Sequence, residues 1–457
     1  MRSKPATKKV SDLIESGLLE IGDGYRAKNS ELGNSGFPFA RAANINDGFK
    51  FEGADCFPAD RVATVGGKIS RIGDVVFTSK GTVGRFAFVS DEAPRFVYSP
   101  QLCYWRSLDH KQLNPRYLYF WMQSQEFLHQ IGYLKGQTDM ADYVSLRDQR
   151  KMSLTVPDPV TQEYVAQVLG GLESRIELLR QTNTTLDAIA NAVFKSWFVD
   201  FEPVRAKAEG REPEGMEAAT AALFPSEFEG SQLGPIPKNW RVTNVGAIAQ
   251  LIKGCSYKGA FLRESEGAYM FNLGCFNARR IFATEKIKRY TGAYRDKQAV
   301  SEGDLIVANT DMTPHREILG RPLLVPAGCE PGFISHHAFK VAIRSGNKDE
   351  WKRVLFFAFQ QPAFRQRAVG YATGTTVLAL ARDSAEKCPI VDPGEGVLTA
   401  FNGVVAPFLA QIANNLQRAN SIESLRDTLL PRLVSGNLRL PEAVAEVVET
   451  RESGEVV

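Results

Sequence analysis

The chain has 457 residues, of which 44% are hydrophobic and 23% charged, and its formal net charge is +3. That length exceeds one ordinary domain of roughly 100–200 residues and suggests about three units with buried cores. No stretch approaches the ~18 consecutive apolar residues of a membrane helix, and the basic N-terminus MRSKPATKKVSDLIESG lacks the apolar run of a signal peptide, so a cytoplasmic location is expected.

Residues 1–156 carry a charge balance of +4. Strand-like runs rich in Val, Ile, Phe and Tyr alternate there with Gly, Pro and Asn turns, and one or two short helices come late, which predicts an α+β domain. Within it GDVVFTSKGTVGRFAFV (73–89) reads as turn, buried strand, polar loop and second strand. SPQLCYWRSL (99–108), the helical RYLYFWMQSQEFLHQIG (116–132), Gly136-Gln137-Thr138 and the strand-like SLTVPDP (153–159) follow.

After Pro159 the pattern changes to heptads. Val165, Leu169, Leu172, Ile176, Leu179, Asn183, Leu186, Ala190, Val193 and Trp197 alternate steps of four and three, the signature of a coiled-coil helix. Residues 162–198 would span roughly 55 Å. Asn183 is the polar seam position, where such a residue usually costs stability and fixes register. On that basis Asn183→Leu should keep or raise helix stability while permitting other pairings.

The order of elements then repeats. Residues 157–226 are acidic (−5) and residues 227–394 basic again (+7), with 201–233 read as a linker. GDLIVANTDMTPHREILGRPLLVP (303–326), SHHAFKVAIRS (335–345), EWKRVLFFAFQQPAFRQRAVG (350–370), Gly374-Thr375-Thr376 and CPIVDP (388–393) match the first half at offsets of about 230 to 238 residues. A second helical pattern follows, with Val405, Leu409, Ile412, Leu416, Ala419, Ile422, Leu425, Leu429 and Leu433 as its stripe. Pro407 and Pro431 mark an expected bend or end. Neither helix has an apolar partner close by in sequence. The simplest way to bury both stripes is an antiparallel pair between the two blocks; packing of each helix onto its own domain is the alternative.

The fold class expected is therefore α+β: two similar domains, 1–156 and 234–394, separated by two long antiparallel coiled-coil helices, 157–200 and 395–440. Residues 441–457 read as an acidic, disordered tail. The helix-seam residues are Leu172, Ile176, Leu179, Asn183 and Leu186, facing Ile412, Leu416, Ile422 and Leu425.

Two basic heads and two acidic segments suit a polyanionic partner, although differences this small also arise by chance. Reading a base needs side-chain donors and acceptors on loops held by a rigid scaffold. In the first block the candidates are Ser79, Lys80, Gly81, Thr82, Gly84 and Arg85, then Lys135, Gln137 and Thr138. The glycines would let backbone approach a phosphate, Lys80 would neutralise it, and Arg85 suits guanine. The matching set in the second block is Asn309, Asp311, Thr313, His315 and Arg316, then Thr373, Thr375 and Thr376. An ordinary polar loop would present the same residues. His336 and His337, placed on a strand, would face opposite ways and could not share a metal, so they read as structural or DNA-facing.

The six cysteines are scattered with no CxxC pair, which argues against a zinc site or a disulfide framework. There is no GxxxxGK[ST] loop, no HExxH, no methyl-donor glycine loop and no Asn-Pro-Pro-aromatic tetrapeptide. Glu350-Trp351-Lys352 has the acid–lysine spacing of nucleases but no upstream acidic partner. No catalytic residue and no metal ligand is expected in this chain.

The chain resembles the specificity subunits of Type I restriction–modification systems. The resemblance is carried by VPDPVTQEYVAQVLGGLESRI (156–176), KSWFVDFEPVRAKAEG (195–210), AALFPSEFEGSQLGPIPKNW (221–240) and SIESLRDTLLPRLVSGNL (421–438). It implies two target-recognition domains held apart by an antiparallel helix pair, each reading half of an interrupted target on double-stranded DNA. It also implies partners: methyltransferase subunits, two in number, and restriction/translocase subunits. S-adenosylmethionine, ATP and Mg would sit on those partners, with no cofactor in this chain. The second domain exit, VDPGEGVLTAF (391–401), lacks the counterpart of Gln162, so its helix start is expected to be built differently. Two rival classes are an enzyme with an unrecognised site and a coiled-coil scaffold whose basic heads bind protein.

Overall fold

A computed structural model of the chain describes residues 6–45, 48–81, 83–135, 143–276, 286–313, 316–344, 346, 348–374 and 377–436. The proposed acidic tail, 441–457, lies outside them. The chain divides into two compact units, one made of residues 1–178 and 419–457 and the other of residues 179–418. Both divisions fall inside long helices, so each unit holds half of the first long helix (Pro159–Phe198) and half of the second (Glu395–Val434).

In the first unit a four-stranded antiparallel sheet runs in the order Leu19–Asp23, Leu102–Ser107, Val75–Thr78, Phe86–Phe88. Every residue of Val75–Thr78 and Leu102–Ser107 is buried, as expected of central strands covered on both faces. A three-stranded sheet stands beside it, in which Phe37–Ala40 and Val97–Tyr98 run parallel. Asn114 starts the helix Pro115–Met122 by accepting the N–H groups of Arg116 and Tyr117, with proline in the first turn where its missing N–H costs nothing. That helix brings Trp121 onto Trp105 and Phe127, the aromatic centre of the core. Gln162, fully buried, ties the long helix to this unit: its Nε2 donates to the carbonyls of Gln112 and Pro157, and its Oε1 accepts the N–H of Asn114.

The second unit repeats this plan. Its four-stranded sheet runs Ala249–Lys253, Ala338–Ile343, Leu305–Ala308, Pro322–Leu324, and a five-stranded sheet again contains one parallel pair, Ala268–Phe271 with Gly332–Ile334. The duplication reaches individual hydrogen bonds. Gly73 and Asp74 exchange bonds with Val89 as Gly303 and Asp304 do with Val325. The stretch expected to be a linker, 201–233, is folded: Phe201, Val204 and Phe224 join Ile236 and Trp240 in this unit's core. The second helix start is indeed built differently, with Val397 and Leu398 buried and Asn402 accepting from Arg353 of the helix Lys348–Gln360.

The two long helices pack on each other within both units. In the second, Phe194 and Trp197 meet Phe401 while Asn183 meets Ile412 and Asn415, so partner numbers fall as helix numbers rise and the pairing is antiparallel. In the first, Val165, Leu169 and Leu172 share a core with Leu429, Leu430 and Leu433. Glu395–Val434 is long and apolar enough by composition to cross a membrane, but its apolar stripe is what these cores consume. Ile176, Leu179 and Ile412 are buried; Leu172, Leu186, Leu416 and Ile422 are half-buried.

Three expectations about the helices change. The second helix runs unbroken through Pro407 and Pro431. Leu425 is 48% exposed, because the seam passes from Ile422 through Arg426 to Leu429, in steps of four and three. Arg426 lies near Glu173, which also pairs with Arg116 at 3.7 Å; burial raises the Glu173 carboxyl, and the two arginines oppose that rise. Third, Asn183 is not alone. Asn415 Nδ2 donates to Asn183 Oδ1 at 2.9 Å, Asn183 Nδ2 donates to the Ile412 carbonyl, and Asn415 Oδ1 accepts from Gln411. Asn415 is only 2% exposed. The Asn183→Leu variant therefore orphans a buried amide and should lose about 1–3 kcal/mol in urea unfolding. The double variant Asn183→Leu/Asn415→Leu should recover most of that loss; a neutral single variant would contradict this pairing.

Candidate nucleic-acid interface

In each unit, loops leaving the central strands are gathered at one place. In the first, Thr78 N–H donates to Arg85 O and Thr78 Oγ1 accepts the Arg85 N–H, closing a loop whose Gly81 and Gly84 take positive φ (+80° and +103°). Ser79 donates its N–H to Gln101 O and accepts the Val144 N–H, and Lys80 bridges to Tyr143. Arg85 Nη1 donates to Ala42 O, while Gln101 Oε1 accepts the Ala42 N–H. Lys80, Arg85, Gln101 and Tyr143 are thereby neighbours. Burial raises the Tyr143 hydroxyl, with Arg26 nearby opposing the shift.

The second unit builds the same frame from other side chains. Asn309 donates its N–H to His337 O and accepts the Leu380 N–H, just as Ser79 does with Gln101 and Val144. Thr310–Asp311 pairs with Leu378–Leu380, which pairs in turn with Ala372–Thr373. The Asp311 carboxylate accepts four bonds, from Thr313 N–H and Oγ1 and from the N–H groups of Ile318 and Leu319. Burial disfavours its charge, but these bonds outweigh burial and hold the carboxyl below its usual range.

The candidates thus separate. Ser79, Asn309 and Asp311 are buried; Ser79 and Asp311 spend side-chain and backbone groups on the frame, whereas Asn309 commits only its backbone and its Oδ1 is buried without a hydrogen-bond partner. Thr313 bonds Asp311 and Glu317 and is half-buried. Lys80, Gly81, Arg316 and Thr373 are exposed, and Gly84 and Arg85 half-exposed. Arg316 takes a left-handed conformation (φ +55°) and its carbonyl accepts from Arg365. Thr82, Gln137, Thr138, His315, Thr375 and Thr376 lie outside the described residues, as does the side chain of Lys135.

Gln101, Tyr143 and Thr310 belong to these sites without having been singled out as candidates, and His337, read as structural or DNA-facing, lies in the second of them. The available signal was the matched pair SPQL and SHHA, which share the leading serine and an apolar last residue and differ between them. His336 and His337 do not lie on a strand, which begins at Ala338; they occupy a turn, with ring centroids 3.9 Å apart. Among the described residues no group of three or more His, Cys, Asp or Glu is placed to hold a metal ion.

Fold and loops define a duplicated α+β binding module, one frame used twice with different exposed residues, on a pair of long helices. The profile of the Type I restriction modification DNA specificity domain matches residues 6–188. The chain is 23% identical over 415 residues to the Type I restriction enzyme HindI specificity subunit of Haemophilus influenzae, covering 81% of this chain and 88% of that one. It is 23% identical over 340 residues to the MjaIX specificity subunit of Methanocaldococcus jannaschii, covering 71% and 69%. The crystal structure of a Type I S subunit from M. genitalium shares the fold, with a TM-score of 0.53 at 12% identity, covering 94% of this chain and 99% of that one. Over most of its length the chain is similar to specificity subunits of Type I restriction enzymes, and residues 6–188 match the DNA specificity domain.

Proposed function

We propose that this chain selects the DNA target of a Type I restriction–modification complex, with each unit reading one half of a two-part sequence. The observation that carries the proposal is the family match over residues 6–188 together with the repetition, in residues 179–418, of the same hydrogen-bond frame with different exposed side chains. One frame used twice gives each unit the same approach to a duplex. Different loops give each its own base preference. Lys80, Arg85, Lys253 and Arg316 supply positive charge for phosphates beside those loops.

In this reading the chain performs no catalysis. Methyltransferase partners with S-adenosylmethionine modify adenines at the selected target, and a motor-nuclease partner with ATP and Mg cleaves unmodified DNA, in the cytoplasm. Exchanging residues 1–156 for the corresponding domain of another specificity subunit tests it. Mapping methylated adenines should show one half of the target altered and the other unchanged. Alteration of both halves, or methylation by the isolated chain, would refute it.

A further inference from the structure

Resting on the DNA-reading function above, we infer that two matched β-turns, Ser99–Leu102 and Ser335–Ala338, carry specificity-determining residues, Gln101 and His337, one for each half of the target. The turns are framed alike. The N–H of Leu102 donates to Ser99 O and that of Ala338 to Ser335 O, both at 3.0 Å, closing four-residue turns. Ser99 N–H donates to Ala40 O and Ser335 N–H to Phe271 O, both at 2.9 Å. The preceding carbonyls, of Tyr98 and Ile334, accept from Tyr25 and Cys255.

Beneath each turn a glycine makes room. A Cβ on Gly24 would stand 1.9 Å from Ser99 O, and one on Gly254 would stand 2.1 Å from Ser335 O. Neither contact is tolerable, so the chains cross at these points only because both residues lack side chains. Ser99 and Ser335 are 2% and 0% exposed. The serine, the glycine and the backbone bonds are thus the same in both units, 236 residues apart for the turns and 230 for the glycines. The middles of the turns differ: Pro100-Gln101 in one, His336-His337 in the other. Where Pro100 has no N–H to give, His336 donates its own to Cys255 O at 2.8 Å.

Both tip side chains are anchored through one atom. Gln101 Oε1 accepts the Ala42 N–H at 3.1 Å, and His337 Nδ1 lies 2.8 Å from Thr310 Oγ1. Among the described residues the far nitrogen of each, Nε2, has no hydrogen-bond partner. Burial, then His336 and Lys253, lower the proton affinity of His337, so the ring is neutral and offers one donor and one acceptor. An anchored, neutral polar tip flanked by cations (Lys80 and Arg85 in one unit, Lys253 in the other) suits a base edge rather than a phosphate.

The test uses the full chain assembled with its methyltransferase partner, carrying Gln101→Ala or His337→Ala, with binding to a randomised duplex library read beside the methylated-adenine map. Each variant should lower discrimination at one base pair by about ten- to a hundred-fold, in its own half of the target only. The slope of log affinity against log salt should stay unchanged, whereas Lys80→Ala should reduce it by about one without altering base preference. The tip exchange Gln101→His/His337→Gln keeps a polar side chain at both sites, and should alter preference in both halves. Unchanged preference in all three tip variants would overturn the turn assignment while leaving the DNA-reading function intact. A wild-type assembly without any two-part target would overturn that function itself.

Discussion

Asp74→Ala should destabilise the first unit by roughly 3–5 kcal/mol, the range for a buried ion pair stripped of one partner. Asp74 and Arg106 are 0% and 4% exposed, and the carboxylate accepts Arg106 Nε at 2.7 Å and Nη2 at 2.8 Å. It also accepts the Tyr98 hydroxyl at 2.6 Å and the Arg71 N–H at 2.9 Å. Burial, then the Asp74 charge, raise the Tyr98 hydroxyl well above its usual value, so it keeps its proton and donates. Alanine would leave a buried guanidinium with Glu20, the Ile69 carbonyl and the Tyr104 ring, and would orphan the tyrosine hydroxyl. Hydrogen exchange read by mass spectrometry should show protection lost across residues 6–178 and retained across 179–418, because every partner of Asp74 lies in the first unit. A loss below about 1 kcal/mol, or one shared equally by both units, would contradict this account. Asp304, the counterpart, pairs with Lys340 at a more exposed position, 2.8 Å away, so Asp304→Ala should cost less.

Phe401→Ala should have an effect of similar size in the second unit, about 3–5 kcal/mol, from lost burial and the cavity left behind. Phe401 is 0% exposed, and its ring lies 4.9 Å from Phe198, 5.8 Å from Phe194 and Phe357, and 5.9 Å from Trp197. These residues come from both long helices and from the helix Lys348–Gln360, so one side chain joins three elements. Its removal should lower the urea midpoint for the second unit and blur discrimination in the matching half of the target. Phe401→Leu, which leaves a smaller cavity, should retain more of both. Equal midpoints for Phe401→Ala and the parent chain would rule out this residue as the junction.

Periodicity and duplication were legible from residues alone because each rests on a strong repeated signal. Ten seam positions define the first long helix, and paired strand–loop–strand segments reveal two similar domains. Failures came where one polar residue was read without its surroundings. Arg426 interrupts the apolar stripe, so the reading slid to Leu425, yet the arginine is half-buried at the seam position near Glu173. Asp311 is of a residue type that suits a base edge, but burial and four hydrogen bonds commit it to its own loop. His336 and His337 were assigned strand alternation because an apolar run follows them; the bond from Ala338 to Ser335 makes the segment a turn. The acidic stretch 201–233 looked like a linker because its few aromatics, Phe201, Phe224 and Phe228, are widely spaced, and only folding collects them around Trp240.

The division of each long helix between the two units has a consequence for biosynthesis. Leu429, Leu430, Leu433 and Val434 close the core that begins with Val10 and Leu13. The half made first on the ribosome is therefore finished after the second. Residues 179–418 have all their parts while the earlier segment still waits for the final turns of its own C-terminal helix. A chain interrupted between residues 418 and 429 would carry one complete head and one unsealed, which couples the quality of the first-made half to synthesis of the second long helix.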